Sequence, residues 1–302
     1  MKVYTLTLSP AYDVHAVCEN FSEGRENLIE ITSREAGGKG VNISRALLSA
    51  GIESKAIVLL GKDNSTEYER ALSNAGLDHH TVRIEGKIRE NLTIHSKTGE
   101  TRISQRGFKA GAEALSEIEK SLDLKKDDLI TVTGRLPDGI STHDIKELLK
   151  GLKKKGALIV IDSKSFTKED IDEVNPWLIK PNREEISAYI GKDIKYLEEA
   201  RDNLNLISKI KAENILITLD ADGAALVTDG KIYTRKAPSI DTVSTIGAGD
   251  SAIAGFIASK IIGENAEASL KRAVAFGSAA ALTEGSNPPK IEDIKKLIKY
   301  ME

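Results

Sequence analysis

From about residue 38 onward, short continuous apolar runs alternate with longer stretches in which apolar residues recur three and four positions apart. Runs of that first kind read as strands buried on both faces, and the second spacing as amphipathic helices. Strands are predicted at 56–60, 129–132, 157–161, 177–179 and 215–219, and helices at 42–50, 66–75, 142–152, 197–210 and 251–262. Strand and helix in alternation predict a mostly parallel central sheet with crossover helices on its faces, an α/β fold. Ligands bind such sheets where strands end and helices begin.

Two stretches break the rhythm. Residues 11–35 and about 79–106 lack helical period and contain alternating segments such as Asn27-Leu28-Ile29-Glu30-Ile31, Thr81-Val82-Arg83-Ile84 and Leu92-Thr93-Ile94-His95. These predict short strands. Two insertions from separate places would make a small second sheet, a lid over a site; edge hairpins on the main sheet satisfy the pattern equally.

Composition narrows the classes. The chain has 302 residues, a length that suggests about two domains or one α/β domain with an appendage. Its 43 Lys and Arg against 46 Asp and Glu leave a net charge of −3, with no strongly basic balance for coating a nucleic acid. No stretch reaches the roughly 18 apolar residues that a membrane helix needs, and the N-terminal segment lacks a leader pattern. The single cysteine, Cys18, has no disulfide partner within the chain and fits a reducing compartment, so a cytoplasmic protein is expected. No repeat of 20 to 50 residues and no low-complexity tract occurs, and the run Lys153-Lys154-Lys155 reads as a solvated helix end.

The densest chemical signal is Ile246-Gly247-Ala248-Gly249-Asp250-Ser251-Ala252, which opens a predicted helix. Glycines allow a tight turn and close backbone approach, and the free N–H groups of a helix start stabilise a developing anion. A carboxylate beside an anion site makes sense as a base that takes a proton from an alcohol during phosphoryl transfer. Capping of the helix explains Asp250 as well, and spacing alone does not choose between the two. The segment also fits G-x-G-x-x-A, but it does not follow a first strand as a dinucleotide fingerprint should. A second glycine-rich loop, Ala36-Gly37-Gly38-Lys39-Gly40-Val41-Asn42, offers backbone and one lysine to a phosphate or a hydroxyl-rich ligand. It is not a Walker A loop, since Gly40 follows the lysine. In Lys180-Pro181-Asn182-Arg183-Glu184-Glu185, Asn182 and Glu185 stand three apart. That spacing suits a capping box, and equally the oxygen groups that hold magnesium through water. The histidines follow no metal-binding spacing, and a G-x-S-x-G elbow is absent.

Taken in this order, the three motifs resemble the ribokinase-like PfkB carbohydrate kinases, with similarity running from Ser9-Pro10-Ala11-Tyr12-Asp13 to Thr283-Glu284-Gly285. Asp13, residues 37–42, Arg89 with Asn91, residues 177–185 and 244–250 look like the branch that phosphorylates sugar phosphates, 1-phosphofructokinases and tagatose-6-phosphate kinases. The resemblance implies a single three-layer domain over 1–302 with a discontinuous β lid at about 11–35 and 79–106. It also implies ATP as co-substrate, Mg²⁺, and a homodimer joined through the lid. By residue, it implies Asp250 as general base with Gly247, Ala248 and Gly249 as the anion hole. Asp13, Gly38, Lys39 and Asn42 would bind sugar, with Lys39 and Arg89 near its existing phosphate. Thr218, Leu219, Asp220, Ala221, Asp222 and Gly223, with Gly249, would line the nucleotide, and Asn182 with Glu185 would organise magnesium.

The chain departs from the family at three places. The usual Asn-Glu-Pro-Gly-Pro is Ser104-Gln105-Arg106-Gly107-Phe108, Gly-Ser-Leu-Pro is Gly134-Arg135-Leu136-Pro137, and a glycine of the nucleotide loop is Asp220. Arg106 reads as a group in reach of the substrate phosphate or as a solvated lid residue. The expected activity is ATP-dependent phosphorylation of a ketohexose phosphate, fructose 1-phosphate to fructose 1,6-bisphosphate. The alternatives are a tagatose-6-phosphate kinase and a sugar-phosphate sensor on a kinase scaffold.

Overall fold

A computed structural model describes residues 1–301. The strands are β1 Val3–Thr7, β2 Ala11–Val17, β3 Glu30–Gly37, β4 Lys55–Gly61, β5 Asp78–Ile84, β6 Arg89–Ser96, β7 Gly99–Ser104, β8 Leu129–Thr133, β9 Leu158–Asp162, β10 Leu178–Ile179, β11 Asn214–Thr218, β12 Ala224–Thr228 and β13 Lys231–Arg235. The helices are α1 Lys39–Ser49, α2 Ser65–Asn74, α3 Ala112–Ser121, α4 Thr142–Lys154, α5 Lys168–Val174, α6 Arg183–Ile190, α7 Leu197–Asp202, α8 Leu204–Ile207, α9 Ala248–Ile262, α10 Ala266–Ala280 and α11 Ile291–Tyr300.

Nine strands form the main sheet in the order β13-β12-β11-β10-β9-β8-β1-β4-β5, parallel from β11 to β5. Successive side chains of a strand face opposite ways, and the core is divided accordingly. Ile57 and Leu59 of β4 join Ile130 and Val132 of β8 against the α3, α4 and α6 side, with Ile118, Ile145 and Ile186. On the other face Leu129 and Val160 pack with Ile43 of α1, Ile253 and Ile257 of α9, and Phe276 of α10. The result is the three-layer α/β architecture with a mostly parallel central sheet. From Asp250 to Ser259, α9 is buried on every side. Gly255 permits this, since a Cβ there would meet the Arg272 carbonyl at 2.8 Å.

A second sheet, in the order β3-β2-β6-β7, draws its strands from the two irregular stretches. One boundary differs from expectation: β5 is the edge strand of the main sheet, in parallel register with β4, and the small sheet resumes only at Arg89. Val82 explains the choice, because it is buried in the main core with Ile57 and Leu59. The helix expected over 197–210 is interrupted at Asn203, whose side-chain amide donates to the Glu199 carbonyl at 2.8 Å and so competes with the helical ladder. Unforeseen was the β12–β13 hairpin, turned by Asp229 (φ 50°) and Gly230 (φ 69°), the Asp-Gly pair that suits a two-residue turn. Among the described residues no helix is long and apolar enough to cross a membrane.

Candidate active site

The functional side chains gather where the parallel strands end. Asp162 is the last residue of β9, Lys180 follows β10, Thr218 ends β11, and α1 starts just beyond β1. Gly40 allows that last approach, as a Cβ there would lie 2.7 Å from the Leu6 carbonyl. Gly247 caps α9 in the left-handed conformation (φ 79°), so the chain reverses and the first N–H groups of the helix open toward the sheet edge.

Asp250 lies in that first turn and is only 6% exposed. Its Oδ2 accepts a hydrogen bond from Asn42 Nδ2 at 2.9 Å. No capping hydrogen bond from the Asp250 side chain forms, because Gly247 holds the cap position. Burial pushes its pKa up to about 6, with Asp162 adding to the rise while Lys39, Asn42 and Lys180 oppose it. A carboxylate tuned to that range is mostly ionised at neutral pH and still basic enough to take a proton.

Beside it stands a charged cluster that sequence reasoning did not assemble. Asp162 is 3% exposed, and its oxygens meet Lys39 Nζ at 2.8 Å and Lys180 Nζ at 3.5 Å. Burial alone would raise the Asp162 pKa, but the two ammonium groups outweigh it and hold the carboxyl below its ordinary range. Lys39 loses hydration too, yet Asp162 and Asp250 keep its pKa above that of an ordinary lysine. A Cβ on Gly249 would stand 3.1 Å from Lys180 Nζ, so this ammonium lies against the glycine turn. Lys39 was expected beside the sugar's existing phosphate. Its ammonium is instead turned to Asp162, on the Asp250 side, because a buried carboxylate must be neutralised by a nearby cation. The signal for Asp162 and Lys180 was in the chain: each is ionisable and ends or follows an apolar strand at the ligand-binding edge.

The small sheet supplies a polar line of its own. Asn91 Nδ2 donates to Asp13 Oδ1 at 2.8 Å, and Arg89 Nη1 donates to Asn91 Oδ1 at 2.7 Å. Gly37 makes room for Asp13, whose carboxylate occupies the place of a Cβ. Gly38 (φ 139°) lets the chain turn into α1.

The expected nucleotide loop follows β11. Asp220 stands at φ 53°, the left-handed region that glycine adopts most readily. Arg183 donates to the Leu219 carbonyl at 3.0 Å, and the loop closes through Leu219 N–H to the Gly223 carbonyl at 2.8 Å. Two side chains of the expected set serve the fold: Leu219 is buried in the core, and Asp222 accepts from Leu197 N–H at 2.7 Å, at the start of α7. Thr218, Asp220 and Ala221 remain accessible to a ligand, with the loop backbone. Asn182 and Glu185 form a reciprocal capping box on α6, each accepting from the other's N–H at 2.9 Å. The box uses one Glu185 oxygen, Oε2, and Oε1 has no hydrogen bond among the described residues. Among those residues no three metal-ligating side chains converge.

Comparison with known proteins identifies the family and the fold. The profile of the pfkB family carbohydrate kinases matches residues 4–293. The chain is 31% identical to a 1-phosphofructokinase of Escherichia coli K12 over 282 residues, 92% of this chain and 90% of that one. It is 30% identical to a tagatose-6-phosphate kinase of Staphylococcus epidermidis over 313 residues, 99% of each. A crystal structure of Escherichia coli phosphofructokinase-2 in complex with substrates and products superposes with a TM-score of 0.91 at 24% identity, covering 100% of this chain and 99% of that one.

Proposed function

Since the chain belongs to the PfkB family of carbohydrate kinases, and is a phosphotransferase acting on a sugar hydroxyl, we propose that it phosphorylates a ketohexose phosphate, fructose 1-phosphate at its 6-hydroxyl, to give fructose 1,6-bisphosphate. The observation that supports this is the approach of two unlike ends, since Asp13 lines a small cavity with Ile246, the residue that leads into the 247–249 turn. Asp250 and the 247–249 turn form a reaction end, and Asp13, Asn91 and Arg89 form a polar end that suits a sugar already bearing a phosphate.

In this reading Asp13 and Asn42 hold sugar hydroxyls, and Arg89 holds the existing phosphate, whose binding energy positions the far hydroxyl. Asp250 takes the hydroxyl proton as the oxygen attacks the γ-phosphorus of ATP, the bond to the β-phosphate oxygen breaks, and ADP leaves. The amides of Gly247, Ala248 and Gly249 and the Lys180 ammonium face the charge on the moving phosphoryl group. Thr218, the 219–223 backbone and Gly249 border the nucleotide. Bound Mg²⁺ would supply neutralisation of the ATP phosphates, and the uncommitted Glu185 oxygen, with Asn182 behind it, suits a water-mediated hold on that ion.

A coupled ADP-release assay over fructose 1-phosphate, fructose 6-phosphate, tagatose 6-phosphate and free sugars tests the reading. Turnover is expected with fructose 1-phosphate above the rest. The tagatose-6-phosphate kinase match over 99% of the chain supports the second reading, and higher kcat/KM with tagatose 6-phosphate would establish it. No ADP release with any sugar phosphate would leave a sensor on a kinase scaffold.

The small sheet acts as the lid of this site and as the dimer contact. Exposed Leu28, Ile31 and Ile103 on or beside it support the contact. Ile31→Lys should shift a dimer toward monomer in sedimentation, and an unchanged mass would remove the proposal. A cytoplasmic location fits the free cysteine, Cys18.

A further inference from the structure

Two of the three departures from the family pattern, Arg106 and Arg135, come from separate segments of the chain and meet at one place. With Arg89 they line a single cleft that also includes Ser9, at the end of the small sheet beyond Asp13 and Asn91. Arg89 is half-buried. Its Nη1 is bonded to Asn91, but its Nε is buried with no hydrogen-bond partner. Arg106 and Arg135 line the cleft with exposed side chains, and neither is among the hydrogen-bonded or ion-paired arginines of the described residues, as Arg34, Arg83, Arg183, Arg201, Arg235 and Arg272 are. The one carboxylate in the lining, Asp138, is bonded to none of the three. Burial acts most strongly against the charge on Arg89, the nearby Arg135 adds to that, and the Asp13 carboxylate beyond Asn91 opposes them only in part, so the guanidinium pKa is lowered. Three guanidinium groups sharing a cleft repel one another, among the described residues no carboxylate is bonded to any of them, and a buried unpaired N–H is costly. An oxyanion of two negative charges removes both penalties, and guanidinium forks match its oxygens bidentately.

We propose that Arg106 and Arg135 join Arg89 in a three-guanidinium clamp that selects acceptors carrying a dianionic phosphate monoester, so that the sugar phosphate binds as its dianion. This rests on the sugar-phosphate kinase reading above and assigns its substrate specificity to these residues. Gly107 brings Arg106 to the clamp, as its backbone runs along the Arg89 side chain, with the nearest carbon 3.4 Å from a Cβ placed on it. Phe108, buried in the main core, anchors the segment. The clamp therefore bridges the small sheet, through Arg89 and Arg106, to the loop after β8, through Arg135. A phosphate bound there ties the two sheets together over the sugar.

The test uses the full chain with fructose 1-phosphate and tagatose 6-phosphate as probes, and Arg106→Ala, Arg135→Ser and the double variant. Each single change should raise KM for the phosphorylated sugar about 10- to 100-fold, the cost of a lost charge-assisted hydrogen bond, and leave KM for ATP in place. Lysine at either position should restore only part of the loss, since it keeps the charge without the fork. Wild-type KM should rise below about pH 6, where a phosphate monoester takes up its second proton. That rise should be shallower in Arg135→Ser. A sugar-phosphate dissociation constant measured without nucleotide should follow KM.

Unchanged KM in both single variants and the double variant, with wild-type turnover on a sugar phosphate, would overturn the clamp and leave the kinase reading standing. Equal losses on phosphorylated and free sugars would overturn it too. Wild-type enzyme that turns over free sugars but no sugar phosphate would defeat the underlying reading, and the clamp with it. Both arginines are exposed, so the variants should fold, and unaltered urea midpoints would verify this.

Discussion

Replacing Asp250 with Asn should make the protein more stable and almost inactive. The carboxyl is buried, and its pKa rises from 3.8 to about 6, which corresponds to about 3 kcal/mol of penalty on the ionised form. The sign follows from proton binding. Between pH 6 and 3.8 the folded state holds a proton that the unfolded state has lost, so stability falls as pH rises through this window. The penalty is complete above it. Asparagine carries no charge at any pH, and its carbonyl can still accept from Asn42. Urea unfolding at pH 8 should show Asp250→Asn more stable than wild type by up to about 3 kcal/mol, with the gain gone near pH 4. In the ADP-release assay kcat should drop about 10²-fold or more while nucleotide affinity is largely kept. A variant less stable than wild type at pH 8, or equally stabilised at both pH values, would refute the burial argument. Near-normal turnover would refute the base assignment.

Other expectations follow from neighbouring groups. Wild-type kcat/KM should fall on acidification through about pH 6 as Asp250 takes up a proton. Asp162→Asn strands Lys180 in a buried site and should cost about 3 kcal/mol in urea unfolding at pH 7. Because the Asp162 pKa is depressed in the fold, that difference should narrow as pH drops below the ordinary carboxylate range. Losing the same negative charge should also move the acid limb of the rate profile to lower pH, and a limb that stays in place would contradict the coupling of the two carboxyls. Gly37→Ala places a methyl group where the Asp13 carboxylate lies and should raise KM for the sugar roughly tenfold or more, with KM for ATP unchanged. Chelation should abolish turnover and Mg²⁺ restore it, and Glu185→Gln should raise the Mg²⁺ concentration required by about tenfold.

The alternation of strand and helix, and the motifs at their junctions, were legible because they are local. A buried parallel strand must be apolar on both faces, as 129–132 and 215–219 are, and a glycine turn opening a helix is recognisable wherever it lies. Capping of α6 by Asn182 and Glu185 follows from two residue types three positions apart.

What depends on partners far along the chain needed the tertiary structure. Residues 79–84 and 92–95 have the same alternation, and only the burial of Val82 against Ile57 and Leu59 decides that the first joins the main sheet. Lys39 carries the same charge wherever it points, and Asp162, 123 positions away, determines its direction. Arg106 reads from sequence as a group in reach of the substrate phosphate or as a solvated lid residue, Arg135 reads only as a departure from the family pattern, and their meeting with Arg89 in one cleft is a matter of tertiary structure. Hydrophobic period specifies which elements form and which face they bury. The pairing of charges is set by burial and by distances in space: at this site burial raises the Asp250 pKa, and the fold brings Arg89, Arg106 and Arg135 to one cleft.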